Sequence, residues 1–165
     1  MARRIDQLDD GGAANLWPVY IRTGALDRAA LLARKQLDAA VPQDGKTLDL
    51  GPVMNGVTAA FILARTGKGA EVPARLTQIR EHVQTAEFLK ATSGTQFGMP
   101  LALLEDKGQR LRTQILSSIA KWDAPIAAAT AFSAGDAAGA QDALAGALAF
   151  PSSELLIDLV TDLQA

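Results

Sequence analysis

The sequence contains no cysteine, one histidine and few aromatic residues. Each shortage removes a class of chemistry. Without cysteine there is no disulfide, no thiolate nucleophile, no Fe–S cluster and no zinc site built on sulfur. With His82 as the sole histidine, a Ser-His-Asp arrangement has one possible base, and no G-x-S-x-G turn accompanies it. The spacings that hold zinc or a di-iron pair on a helix are also missing, since the residue three before His82 is Ile79. Gly67-Lys68-Gly69 has the look of a phosphate loop. That motif, however, needs glycine at position 62 and Ser or Thr at position 69, where this chain has Ile62 and Gly69. No catalytic residue, cofactor or metal is expected from these patterns.

Long apolar runs are absent as well. None approaches the roughly 18 residues of a membrane-spanning helix. The start, Met1-Ala2-Arg3-Arg4, is basic like a signal sequence, but Asp6, Asp9 and Asp10 interrupt any apolar core. The expectation is a cytoplasmic protein, or a virion protein if it belongs to a phage. The net charge of −2 gives no general attraction to nucleic acid or to an acidic membrane surface.

What the chain has is alanine, leucine and helical periodicity. A length of 165 residues fits a single domain over 1–165, with residues 1–12 as a polar lead. The fold class predicted is all-α, with about eight helices arranged as consecutive αα-hairpins around a long central hairpin over 72–122. Val72, Leu76, Ile79, Val83 and Ala86 form the first stripe. Leu101, Leu104, Gly108, Leu111, Ile115, Ser118 and Trp122 form the second. Both step by threes and fours, the pattern of one apolar seam, over arms of roughly 20 residues each.

Other helices are expected from Ala13 or Trp17 to Arg22, over Ala25–Val41, from Pro52 to Arg65 and over Ile126–Phe132. A further pair is expected over Ala137–Phe150 and from Ser152 onward, the last with a stripe of Leu155, Leu156, Leu159, Val160 and Leu163. The Pro52–Arg65 helix is apolar all round and belongs in the core. Thr47 to Gly51 alternates like a strand but shows no partner strand. Arg22-Thr23-Gly24 and Arg65-Thr66-Gly67 form repeated corners. In this the chain resembles tetratricopeptide-type hairpins, although the corner spacing is unequal and the aromatic positions of that repeat are missing.

Two sets of residues are functional candidates. The small residues Gly135, Gly139, Ala143, Gly146 and Ala147 permit close helix approach and could form a subunit interface. Arg65, Arg75, Glu81 and His82 could line a small-molecule cleft between helices. A basic strip of Arg75, Arg80, Lys90, Lys107, Arg110, Arg112 and Lys121 runs along the central hairpin, read first as a solvated face. His82 itself reads first as a packed or exposed residue without a role. The function expected is a non-catalytic helical assembly or adaptor subunit, such as a connector or neck component of a phage or virus particle. It would act through a protein partner or as a homo-oligomer. The alternatives are a small-molecule-binding protein or enzyme using the Arg/carboxylate cleft, and a DNA-binding regulator built on the corner after Arg65.

Overall fold

A computed structural model describes residues 16–90, 98–147 and 149–164. The chain is mostly helical. In order, its elements are α1 (Trp17–Arg22), α2 (Leu26–Ala39), β1 (Thr47–Leu48), α3 (Leu50–Arg65), α4 (Val72–Thr85), β2 (Phe88–Leu89), β3 (Met99–Pro100), α5 (Gln109–Ala120), α6 (Asp123–Ser133), α7 (Ala137–Ala145) and α8 (Glu154–Gln164). Short 3₁₀ turns precede α4 and follow β3.

The core is built on α3. Asp49 caps its start by accepting from the Gly51 N–H, and Pro52 sits in the first turn, where no intrahelical donor is lost. Beyond Asn55 the helix is enclosed: Gly56, Val57 and Ala59 through Ala64 are all buried. An apolar circumference demands neighbours on every side. These are α2, α4 and α6.

The tightest approach is at Gly56. A Cβ there would overlap the Ala40 Cβ and press on Ile79 Cδ1, so glycine is what lets the end of α2 and the middle of α4 close on α3. Further along, Phe61 meets Trp122 with ring centroids 5.7 Å apart and planes tilted at 60°. This is a favourable aromatic geometry.

The central hairpin is shorter than its periodicity predicts. Its arms are α4, of 14 residues, and α5, of 12, and they touch each other. The first stripe is intact, with Val72, Leu76, Ile79, Val83 and Ala86 all buried. The second does not lie on one helix. Leu101 belongs to a 3₁₀ turn, Leu104 to the link after it, Gly108 immediately precedes α5, and Trp122 follows it. Three- and four-residue steps therefore continued across a turn because each turn also buries a residue on the same side. The loop expected at 92–98 lies almost wholly outside the described residues.

A small sheet replaces the missing length. β1 pairs parallel with β2, Thr47 opposite Phe88, and β2 pairs antiparallel with β3, Phe88 opposite Pro100. Thr47-Leu48 thus has a partner in a stretch too short to show periodicity. The Lys46 carbonyl accepts from Glu87 N at 2.8 Å and Phe88 N at 3.1 Å.

At the other end, α7 stops at Ala145 instead of running to Phe150, and α8 begins at Glu154. Leu155, Leu156 and Leu159 of its stripe are buried, whereas Val160 is exposed. Asp136 caps the start of α7 and accepts from Gly139 N at 2.8 Å.

Arg112 closes the C-terminus of α4 from the neighbouring helix. Its Nη1 donates to the Val83 and Gln84 carbonyls, both at 2.6 Å, and its Nη2 donates to Ala86 O at 2.7 Å. The last carbonyls of a helix have no intrahelical donor and carry partial negative charge, so a planar cation is well matched to them.

Two stability outcomes follow from this packing. Gly56→Ala will destabilise the fold by about 2 kcal/mol in urea unfolding, although alanine favours the helix itself, and Ala40→Gly in the same chain will recover part of that loss. Arg112→Ala will cost about 2 kcal/mol, because three carbonyls lose a charged donor, and Arg112→Lys will recover less than half.

Candidate functional site

The proposed cleft residues separate into two places. Arg75, Glu81 and His82 line one cleft of about 430 Å³ between α2 and α4, together with Asp38, Gln78 and Gly45. Arg65 lies elsewhere, in a groove of about 440 Å³ with Arg22, Leu26, Asp158 and Asp162. Four positions chosen by nearness in sequence had no reason to converge across α3, because Arg65 ends that helix on the side facing α8.

In the α2–α4 cleft, α4 supplies one wall and the end of α2 the other. Arg75 Nη2 pairs with Asp38 Oδ1, and its Nη1 donates to Gln78 Oε1 at 3.2 Å. His82 is 4% exposed. Its Nδ1 lies 3.3 Å from Gly45 O, and its Nε2 is buried with no hydrogen-bond partner among the described residues. His82 is thus packed inside, and its ring joins α4 to the 42–46 turn. That turn is rigidified by Asp44, whose carboxylate accepts from Lys46 N at 3.0 Å and from the Thr47 hydroxyl. The Lys46 N–H above all holds the Asp44 carboxyl below its ordinary value, helped by Thr47 and by the proximity of His82.

The second groove is a clamp. α1 and α3 end alike: Thr23 and Thr66 each return a hydroxyl hydrogen bond to a carbonyl of the preceding turn, and Gly24 and Gly67 follow with φ of +72° and +76°. Only glycine takes that left-handed turn without strain. The arginine before each corner reaches α8. Arg22 forms a two-pronged pair with Asp158 at 3.1 and 2.9 Å, and Arg65 pairs with Asp162, one helical turn further on.

The repeated Arg-Thr-Gly triplets therefore present two cations to two carboxylates spaced i, i+4 on one helix. Arg65 is the stronger partner. Its side chain is 11% exposed and its Cζ lies 4.3 Å over the Phe132 ring. Burial pulls its guanidinium below the usual value, while Asp162 and Asp158 favour the charged form.

The small-residue set is partly accounted for by local backbone. A Cβ on Gly139 would overlap the capping Asp136 carboxylate, so this glycine makes room for the cap. Gly135 and Gly146 are exposed, while Gly139, Ala143 and Ala147 are half-buried. The buried contact of α7 is Ala140.

Most of the basic strip is engaged. Arg75 pairs with Asp38, Arg80 with Asp123 and Lys90 with Asp49, and Arg112 holds carbonyls. Lys107, Arg110 and Lys121 form no ion pair among the described residues. Sequence reasoning missed Asp38 and, although it placed Arg112 in the basic strip, missed the hold of that arginine on the end of α4. Their partners stand 37 and 26–29 positions away, where no helical or strand period connects them.

Among the described residues no group of His, Cys, Asp and Glu is placed to hold a metal ion, and no helix is long and apolar enough to cross a membrane. Among the described residues, fold and site define a mostly helical protein with a minimal three-stranded sheet, an ionic clamp on α8 and a polar cleft between α2 and α4. Compared with models of known families, with curated proteins and with solved structures, the chain matches none.

The clamp gives a direct test. Arg65→Ala will destabilise the protein by about 2 kcal/mol through lost ring packing and an unpaired Asp162, and amide exchange will rise first in α8. Equal loss of protection across α3 would show that Arg65 supports the core instead.

Proposed function

We propose that this protein is a non-catalytic helical assembly or adaptor subunit that works through protein–protein contacts, its simplest form being a homo-oligomer. The observation that carries this reading is a pair of outward helix faces that combine exposed apolar side chains with opposite charge. On α2, Leu31 is 57% exposed and is flanked at helical spacing by Arg28 and Lys35, neither of which forms an ion pair among the described residues. On α8, Ile157 is 65% exposed, with exposed Val160 on one side and Glu154 on the other.

Charge is segregated along the chain in the same sense. No Lys or Arg follows Lys121, whereas Asp123, Asp136, Asp142, Glu154, Asp158 and Asp162 do. Three of these carboxylates are held internally by Arg80, Arg22 and Arg65. Asp142 and Glu154 remain directed to solvent. Apolar side chains at the centre of such faces supply binding energy, and the surrounding charges set orientation and partner choice.

Light scattering after size exclusion, run across protein concentration and salt, tests this. A discrete particle at a multiple of the 17.3 kDa chain is expected. Ile157→Glu or Leu31→Glu is expected to weaken it by about tenfold or more in Kd with helix content unchanged. A monomer at every concentration and salt would remove the homo-oligomer.

A further inference from the structure

We propose that the two outward faces are each other's partners. The α2 face of one copy of this chain is covered by the α8 face of a second copy, the helices antiparallel, with Ile157 against Leu31 and Glu154 against Lys35. This rests on the assembly reading above and adds to it which surface meets which.

Each face is defined by the charge it leaves unpaired. Around Leu31 the exposed charged positions of α2 are Asp27, Arg28, Arg34, Lys35 and Asp38. Arg34 pairs with Glu71 and Asp38 with Arg75. Two cations, Arg28 and Lys35, and one anion, Asp27, form no ion pair among the described residues. The outward side of α8 carries Ile157, Val160, Thr161 and Gln164, with Glu154 at its edge. Asp158 and Asp162, on the flank, are held by Arg22 and Arg65. Glu154 is felt by Arg22, but its carboxylate forms no ion pair among the described residues. The α2 face thus has a cation to spare, and the α8 face has a carboxylate to spare.

Other pairings between copies fit less well. α8 contains no basic residue, so a second α8 has nothing to set against Glu154. Two α2 faces crossing antiparallel at Leu31 would bring Lys35 to Asp27 but Arg28 to Arg34, and they would leave α8 bare. Leu103 is 75% exposed near Lys107 and Arg110, but Glu105 and Asp106 adjoin it, so that surface offers no net positive charge. α2 against α8 covers both apolar centres at once. Positions three and four apart share one face of a helix. In the antiparallel direction the residue three before Ile157 comes opposite those three and four after Leu31, which brings Glu154 to Lys35. Asp27 and Arg28 then face the uncharged Val160 and Thr161. The parallel direction would bring Glu154 onto Asp27 as well as Arg28. Antiparallel helices also set their dipoles in opposition, which is the favourable sense.

The experiment mixes two full-length variants, Leu31→Glu and Ile157→Glu. Each is measured alone and at 1:1 by light scattering after size exclusion, with circular dichroism to confirm equal helix content. Leu31→Ser and Ile157→Ser repeat the comparison without added charge. Each variant alone is expected to lose about tenfold or more in self-affinity. The mixture is expected to recover a particle of twice the chain mass, because Leu31→Glu keeps an intact α8 face and Ile157→Glu keeps an intact α2 face. Lys35→Glu is expected to weaken assembly about threefold at low salt, and Glu154→Lys in the same chain to restore it. A wild-type protein that assembles while the mixture does not recover overturns the proposal and leaves the assembly reading to another surface. Variants that assemble alone as the wild type does have the same meaning. Failure of Glu154→Lys to restore Lys35→Glu overturns the antiparallel register. A wild-type monomer at every concentration removes the homo-oligomer reading, and this contact with it.

Discussion

The close approach of α2 and α4 to α3 at Gly56 is the constraint on which the other parts depend. With Ala40 in contact there and Ile79 beside it, the three helices are held at a separation set by a missing side chain. The α2–α4 cleft exists because both of its walls are referred to this one point. The same helix, at its far end, aims Arg65 at α8 and sets Phe61 against Trp122. Protein interiors are packed like crystals, so a displacement at the crossing is transmitted along these contacts and is not absorbed.

Charge is used differently in different parts of the molecule. Pairs such as Arg34–Glu71 and Arg75–Asp38 lie on exposed surface, where solvent screens them and their contribution is small. Arg112 and Arg65 are the exceptions. One replaces missing donors at a helix end, and the other is largely withdrawn from water against an aromatic ring. Both link elements far apart in sequence, so each reduces the freedom of the segment it reaches. α8, with three fully or nearly buried leucines and two gripped carboxylates, is such a segment.

The outward faces and the cleft are both outcomes of this arrangement. α8 must turn Leu155, Leu156 and Leu159 inward, and a helix so oriented leaves Ile157 on the opposite side. Likewise α2 gives Ala29, Ala33 and Leu37 to α3, which leaves Leu31 between Arg28 and Lys35 facing water. His82 is drawn inward because its neighbour Val83 belongs to the buried stripe of α4, and the 42–46 turn then closes over it.

Local physics in the sequence by itself determined the helical class, the core position of Pro52–Arg65, the first stripe of the central hairpin and the Thr-Gly corners. Each depends on residues within about two helical turns of one another: a period, a proline or a glycine. The small sheet, the shortened arms, the end of α7 and the outward turn of Val160 were decided only by tertiary structure. So were the grouping of Arg75, Glu81 and His82 with Asp38, and the pairing of Arg65 with Asp162 instead. The two-residue strands carry no period to read, and an arginine's partner is selected by which helices α3 brings within reach. Chain separation hides that choice in the sequence, and packing around Gly56 makes it.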